Sequence, residues 1–158
     1  MFKKILVGTD FSEASDEARR VAIELGRRLG AELEIVHVEE PLPAYAFAEG
    51  ALPDLPRLEE EVRTWAERQL EDLARGARAS GVSTTTAVLL GVPANAIVEA
   101  ARTGRADLIV VGTHGRTGLE RVLLGSVAER VVRNAPCAVL TVRQTPDAKQ
   151  GAKPQAAA

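Results

Sequence analysis

Residues 4–38 read KILVGTDFSEASDEARRVAIELGRRLGAELEIVHV, and this stretch decides the fold. Its first six residues, Lys4–Thr9, form a short run rich in branched aliphatics, the pattern of a strand buried on both faces. Ser12 then stands where a helix N-cap belongs, with Glu13, Asp16 and Glu17 in the first turns, where carboxylates complement the helix dipole. Ala14, Ala18, Val21, Ala22, Leu25 and Leu29 follow at helical spacing, Arg27 and Arg28 fall in the last turn, and Gly30 supplies a left-handed stop. Glu32–Val38 alternates polar and apolar residues and predicts a second strand. Strand, helix and strand in this order make a parallel pair with a crossover helix.

The alternation continues outward from this unit. Residues 39–56 hold Pro41, Pro43, Pro53 and Pro56 and predict a long irregular connection. Leu58, Val62, Trp65, Leu73 and Ala77 predict the inner stripe of a long helix that ends before Gly81, with Trp65 in the core. Ser83–Leu89 predicts a third strand, and Pro93 opens a short helix to about Arg102, stopped by Gly104. Asp107–Val111 predicts a fourth strand, and Gly112–Gly125 reads mostly as loop. A helix over Ser126–Asn134, with Val127, Val131 and Val132 inward, leads past Pro136 to a fifth strand, Ala138–Val142. The pattern predicts an α/β fold: an open, doubly wound, five-stranded parallel sheet of strand order 3-2-1-4-5 with helices on both faces. Residues 1–144 form one expected domain. Residues 145–158 carry no aromatic and no branched aliphatic after Thr145 and predict a flexible tail.

Composition excludes several functions. The 158 residues carry 20 basic and 22 acidic side chains, a net charge of −2, so no overall basic field steers the chain to nucleic acid. The single Cys137 excludes an internal disulfide and any multi-cysteine zinc site, and two distant histidines make no metal set. Cys137, just past Pro136 and ahead of AVLTV, reads as a buried structural thiol. No apolar run approaches the roughly 18–20 residues of a membrane span. The opening MFKKILVGTDFS lacks the length and cleavage site of a signal peptide. The expectation is a soluble cytoplasmic protein with neither membrane nor nucleic acid as partner. Sixteen of the 20 basic residues are Arg, which suits either a hot habitat or a GC-rich genome.

An open doubly wound sheet binds ligands beyond the carboxyl ends of its strands, where the winding reverses. For order 3-2-1-4-5 that point lies between strands one and four, just past which stand Asp10 and the Gly112 loop. From Val110 to Val131 the sequence reads VVGTHGRTGLERVLLGSVAERV, with Gly112, Gly115, Gly118 and Gly125 close together and Gly125-Ser126 at a helix start. Glycines let a backbone approach a ligand. The first-turn amides of Ser126, Val127 and Ala128 make a seat for phosphate. The Ser126 hydroxyl can cap the helix or donate to a phosphate oxygen. The stretch is neither G-x-x-x-x-G-K-[ST] nor G-x-G-x-x-G, and no lysine lies between Lys4 and Lys149.

Gly112-x2-Gly115-x9-Gly125-Ser126 resembles the universal stress protein family, whose ATP-binding branch is marked by G-x2-G-x9-G-[ST]. The resemblance spans about residues 1–143 and includes the opening KKILVGTDFSE, the VHV of the second strand and the closing APCAVLTVR. It implies a five-stranded parallel sheet, a homodimer paired through the last strands, and bound ATP with Mg2+ held mainly by the phosphates. Asp10 matches the aspartate near the adenosine, Val38 an adenine-side contact, and Val111 the strand residue before the turn. Gly112 and Gly115 match the ribose and phosphate turn, and Gly125, Ser126 and Val127 the phosphate-binding segment.

Chemistry fits these roles. A carboxylate such as Asp10 accepts from ribose hydroxyls and repels a triphosphate, so it belongs at the nucleoside end, unless it serves as a helix-leading Asx-turn residue. Arg116, Arg121 and His114 could reach phosphate or stay in solvent. His37, between Val36 and Val38, reads as a satisfied histidine within the sheet. The expected function is an ATP-binding stress or signalling module whose conformation or dimer state reports nucleotide occupancy, with an unknown signalling protein as a further candidate partner. The alternative is a slow ATPase or a phosphoryl or nucleotidyl transferase. Phosphoryl transfer needs charge neutralisation and in-line positioning, and the missing phosphate-loop lysine argues for holding ATP over turning it over.

Overall fold

The computed structural model describes residues 1–41, 55–113 and 124–143. Five strands and four helices alternate: β1 (Lys4–Thr9), α1 (Glu13–Leu29), β2 (Glu32–Glu39), α2 (Leu55–Ala79), β3 (Thr84–Leu90), α3 (Pro93–Thr103), β4 (Leu108–Gly112), α4 (Ser126–Asn134) and β5 (Ala138–Val142). The strands form one sheet of order β3-β2-β1-β4-β5, parallel throughout. The expected fold class and strand order are what the structure shows. β3 and β4 each lie one residue later than their sequence patterns indicate.

Alternation along the strands splits the core into two layers. Ile5, Val7, Leu33, Ile35 and Val110 face Ala18 and Ala22 of α1 and Leu70 and Ala74 of α2. Leu6, Val36, Ile109 and Val111 face Ile97 and Ala101 of α3 and Ala128 and Val131 of α4. Alanines on the inner stripes let the helices lie close to the sheet, and each fully buried Leu, Ile or Val contributes roughly 1.5–3 kcal/mol. Ser12 caps α1 by accepting the Ser15 amide, and Gly30 ends it at φ 64°.

Three sequence expectations need correction. α2 begins at Leu55, so Pro56 belongs to its first turn and not to the preceding connection; a first-turn proline forfeits no intrahelical hydrogen bond. Leu58, Val62 and Trp65 are exposed, and the buried stripe of α2 is Ala66, Leu70, Ala74 and Ala77. Length explains the difference. A helix of 25 residues runs about 38 Å, whereas the eight residues of β2 span about 26 Å. The first turns of α2 overhang the sheet, and their apolar side chains have no strand beneath them. In α4, likewise, Val131 is buried with Ala128, while Val127 and Val132 are exposed. The segments 42–54, 114–123 and 144–158, and with them the predicted glycine-rich loop and flexible tail, lie outside the described residues.

Candidate functional site

A cavity of about 600 Å³ opens beyond the carboxyl ends of β1, β2 and β4. Its size is that of a small-molecule site, and it lies at the point where the winding of the sheet reverses. Asp10, Val38, Val111, Gly112, Gly125, Ser126 and Val127 all line it. Seven of the eight residues singled out in the sequence are thus brought together; the eighth, Gly115, lies outside the described residues, as do His114, Arg116 and Arg121.

One wall is the N-terminus of α4. Gly125 is its N-cap, in extended conformation (φ −69°, ψ 157°), and no side chain caps the helix. Ser126 is therefore the first helical residue and not the cap. The Gly125 amide is spent on the Thr113 carbonyl at 2.6 Å. The first intrahelical bond runs from Glu129 to the Gly125 carbonyl at 2.9 Å. The amides of Ser126, Val127 and Ala128 precede it and have no intrahelical acceptor. All three residues face the cavity, so the positive end of the helix dipole is turned to the ligand space.

The opposite wall is built by the turn between β1 and α1. Phe11 adopts φ 62°, a left-handed conformation that costs a non-glycine residue roughly 1–2 kcal/mol. Its amide donates to Thr9 Oγ1 at 3.0 Å. Thr9 Oγ1 donates in turn to Ser15 Oγ at 3.0 Å, and Ser15 Oγ donates to the Ser12 carbonyl at 2.9 Å. The ring of Phe11 packs on His37 with centroids 4.5 Å apart and meets Trp65 edge-on at 5.1 Å. This turn presents Asp10, whose Oδ1 accepts the Ser12 amide at 3.1 Å and the Ser12 hydroxyl. Of the two readings of Asp10, the Asx turn is formed, and the residue also lines the cavity.

His37 is satisfied within the sheet as the sequence indicates: its Nδ1 lies 2.8 Å from the Thr9 carbonyl. A carbonyl only accepts, so Nδ1 carries a proton in this contact. Trp65 is not core; it borders the cavity beside Val62. The Phe11–His37–Trp65 cluster, the Thr9–Ser15 hydroxyl pair and Glu39 were not legible as site residues. A Trp on an apolar helical stripe looks like core, and nothing local in the sequence shows where the stripe outruns the sheet.

Arg27 and Arg28 hold the Glu24 carboxyl well below its ordinary range, at about 2, on the exposed face of α1. Backbone amides of Lys3 and Lys4 lower the carboxyl of Asp107. Cys137 is partly buried, and burial pushes its thiol up, which keeps it protonated and poorly nucleophilic. Among the described residues no group of three or more His, Cys, Asp or Glu could hold a metal ion, and no helix is long and apolar enough to cross a membrane.

Comparison with known proteins agrees with this geometry. The model of the universal stress protein family matches residues 1–143. Universal stress protein MJ0531 of Methanocaldococcus jannaschii is 43% identical over 145 residues, covering 91% of this chain and 84% of its own. The solved structure of MJ0577, described as a hypothetical protein whose biochemical function was assigned from structure, superposes with a TM-score of 0.81 at 28% identity, covering 93% of this chain and 99% of its own. A universal stress protein in complex with cAMP gives a TM-score of 0.63 at 30% identity, covering 89% and 96% of the two chains. The Archaeoglobus fulgidus universal stress protein in complex with dAMP gives 0.62 at 25% identity, covering 89% and 98%. In sequence and in strand order, the chain belongs to the universal stress protein family.

Proposed function

We propose that this chain is an ATP-binding universal stress protein that holds its nucleotide and signals by occupancy. The observation that carries the reading is the pairing, across one cavity, of the open amides of Ser126, Val127 and Ala128 with Asp10 on the facing turn. The amides and the helix dipole favour anionic phosphates. Asp10, Val38 and the aromatic cluster suit the nucleoside. Solved relatives in complex with cAMP and dAMP support an adenine nucleotide as the ligand class. Mg2+ in this reading arrives on the phosphates and keeps most of its waters. The family motif assigns Gly112 and Gly115 to the ribose and phosphate turn.

ATP is held and not rapidly consumed, because no lysine stands between Lys4 and Lys149 to neutralise charge developing on a transferred phosphoryl group. The functional unit is a cytoplasmic homodimer joined through β5, which ends the sheet and, among the described residues, offers an unpaired apolar edge. Two such edges pairing about a twofold axis close at two subunits. Occupancy then acts on the dimer or on an unidentified signalling partner. Calorimetric titration of ATP, with and without Mg2+, tests the reading: one site per chain is expected, and no heat and no competition by any adenine nucleotide would contradict it.

A further inference from the structure

The turn that carries Asp10 is held by a ring of hydroxyls whose protons have fixed directions. The Ser12 carbonyl only accepts, so Ser15 Oγ spends its proton there, at 2.9 Å. The bond between Ser15 Oγ and Thr9 Oγ1, at 3.0 Å, therefore takes its proton from Thr9. Thr9 Oγ1 in turn accepts the Phe11 amide at 3.0 Å. Ser12 Oγ accepts the Ser15 amide at 3.3 Å and gives its own proton to Asp10 Oδ1. The hydroxyl protons of Thr9, Ser12 and Ser15 are all spent inside the turn. Thr9 and Ser15 line the cavity, yet the chemistry of their hydroxyls is directed at the turn and not at a ligand.

What the ring supports is strained. Phe11 lies at φ 62°, a region that its Cβ disfavours, and its amide is the one that Thr9 Oγ1 holds. Thr9 and Ser15 are both buried, so water is a poor substitute for either hydroxyl. Without the Ser15 hydroxyl, Thr9 loses the acceptor that fixes its rotamer, and Ser12 keeps only the amide bond from Ser15. We infer that Ser15 is a positioning residue for the ligand site: acting through Thr9 and Ser12, it holds the turn between β1 and α1 in its left-handed form and so fixes Asp10 at the cavity. A turn that leaves this form takes part of the protein out of the binding-competent state, and apparent affinity falls in proportion.

This inference rests on the nucleotide reading above, and the test separates the two. ATP is titrated calorimetrically into the full native chain, Ser15→Ala, Asp10→Ala and the double variant, each with a native circular dichroism spectrum. Ser15→Ala is expected to weaken ATP about threefold or more, the size of one net hydrogen bond. It should have no further effect once Asp10 is replaced, because its action passes through Asp10. A role in stability alone lowers the urea midpoint and leaves ATP affinity as it was. That result, or an equal loss in both backgrounds, overturns the inference while leaving ATP binding intact. Thr9 supplies an independent pair: Thr9→Val, which keeps the branched shape without the hydroxyl, should weaken ATP, and Thr9→Ser should bind it within about twofold of native. Native affinity in Thr9→Val overturns the inference. Amide hydrogen exchange of the native protein needs no variant: the Phe11 amide is expected to exchange slowly and, by linkage, more slowly with saturating ATP. Exchange at Phe11 that ATP does not change overturns the inference. Failure of the native protein to bind ATP overturns the nucleotide reading and this inference with it.

Discussion

The carbonyl of Thr113 accepts the amide of Gly125 at 2.6 Å. This bond ties the end of β4 to the start of α4. It also consumes the amide of Gly125 and leaves the next three, at Ser126, Val127 and Ala128, as the open donors at the cavity wall. Thr113 is held by its own amide, which donates to the Val142 carbonyl at 2.8 Å, so the seat is anchored to β5.

Gly125→Val tests whether those amides hold a ligand. The conformation of Gly125, φ −69° and ψ 157°, is open to any residue, so the sheet is expected to fold, with at most about 1 kcal/mol lost at the helix cap. A branched side chain at the cavity wall keeps phosphate from the amides. ATP affinity is expected to fall about tenfold or more, with an unchanged circular dichroism spectrum. A folded variant with native affinity would remove α4 from the site.

Trp65 supplies an optical probe. It is the single tryptophan of the chain, about half exposed, and it borders the cavity edge-on to Phe11. Saturating ATP is expected to change its emission intensity or wavelength, with the same midpoint as calorimetry. Emission that stays constant while calorimetry reports binding would place the nucleotide elsewhere.

Gly104→Ala tests the packing at the other end of the sheet. An added Cβ would lie 2.8 Å from the Ala100 carbonyl oxygen, a backbone atom, and 3.1 Å from Lys4 Nζ. Neither the helix end nor the Lys4–Glu34 pair can yield without cost. The expected loss is about 1–3 kcal/mol in urea unfolding, as for an overpacked site. A variant as stable as the native chain would show that α3 can shift off the sheet.

Acid weakens the first strand through Asp107. Its Oδ2 accepts the amides of Lys3 at 2.8 Å and Lys4 at 3.0 Å, and these bonds lower its pKa below the ordinary 3.8. The unfolded chain therefore binds the proton more readily than the folded one. The contribution is present above the unfolded value and is lost as pH falls through the folded one. Asp107→Asn is expected to lower the urea midpoint at pH 7, and the gap from native should close below about pH 4. A gap that persists at low pH would show that the amide bonds do not depend on the charge.

Association through β5 predicts a native mass near twice 16.8 kDa. Sedimentation equilibrium at micromolar concentration reads it directly, and a stable monomer would reject the dimer. Val139→Pro should weaken association by removing a donor on the open edge, because backbone groups alternate along a strand and the Val142 carbonyl faces Thr113 beside β4.

The fold was legible because its signals are local and agree with one another. The Ser12 cap, the left-handed Gly30 and the branched runs of β1, β4 and β5 each fix one element, and alternation of elements fixes the sheet. The lining of the candidate site was legible at Asp10 and at Gly125–Val127, which the sequence marks as a helix-leading turn and a helix start. What could not be read depends on lengths and registers set in three dimensions. Trp65 leaves the core because α2 outruns β2. Phe11 faces His37 because Thr9 and His37 are register partners. Glu39 becomes a cavity residue because β2 runs one residue past the apolar pattern that defines it.

Identification of the nucleotide carried by the purified native protein tests the central claim most directly. Protein isolated without added nucleotide, then saturated with ATP and Mg2+ and freed of excess, is denatured and its small-molecule fraction weighed by mass spectrometry. The account predicts about one ATP per chain, intact after prolonged incubation. Release of no nucleotide would contradict binding. Recovery of ADP, formed at a turnover of roughly 1 s⁻¹ or faster, would contradict the claim that this protein holds ATP and does not spend it.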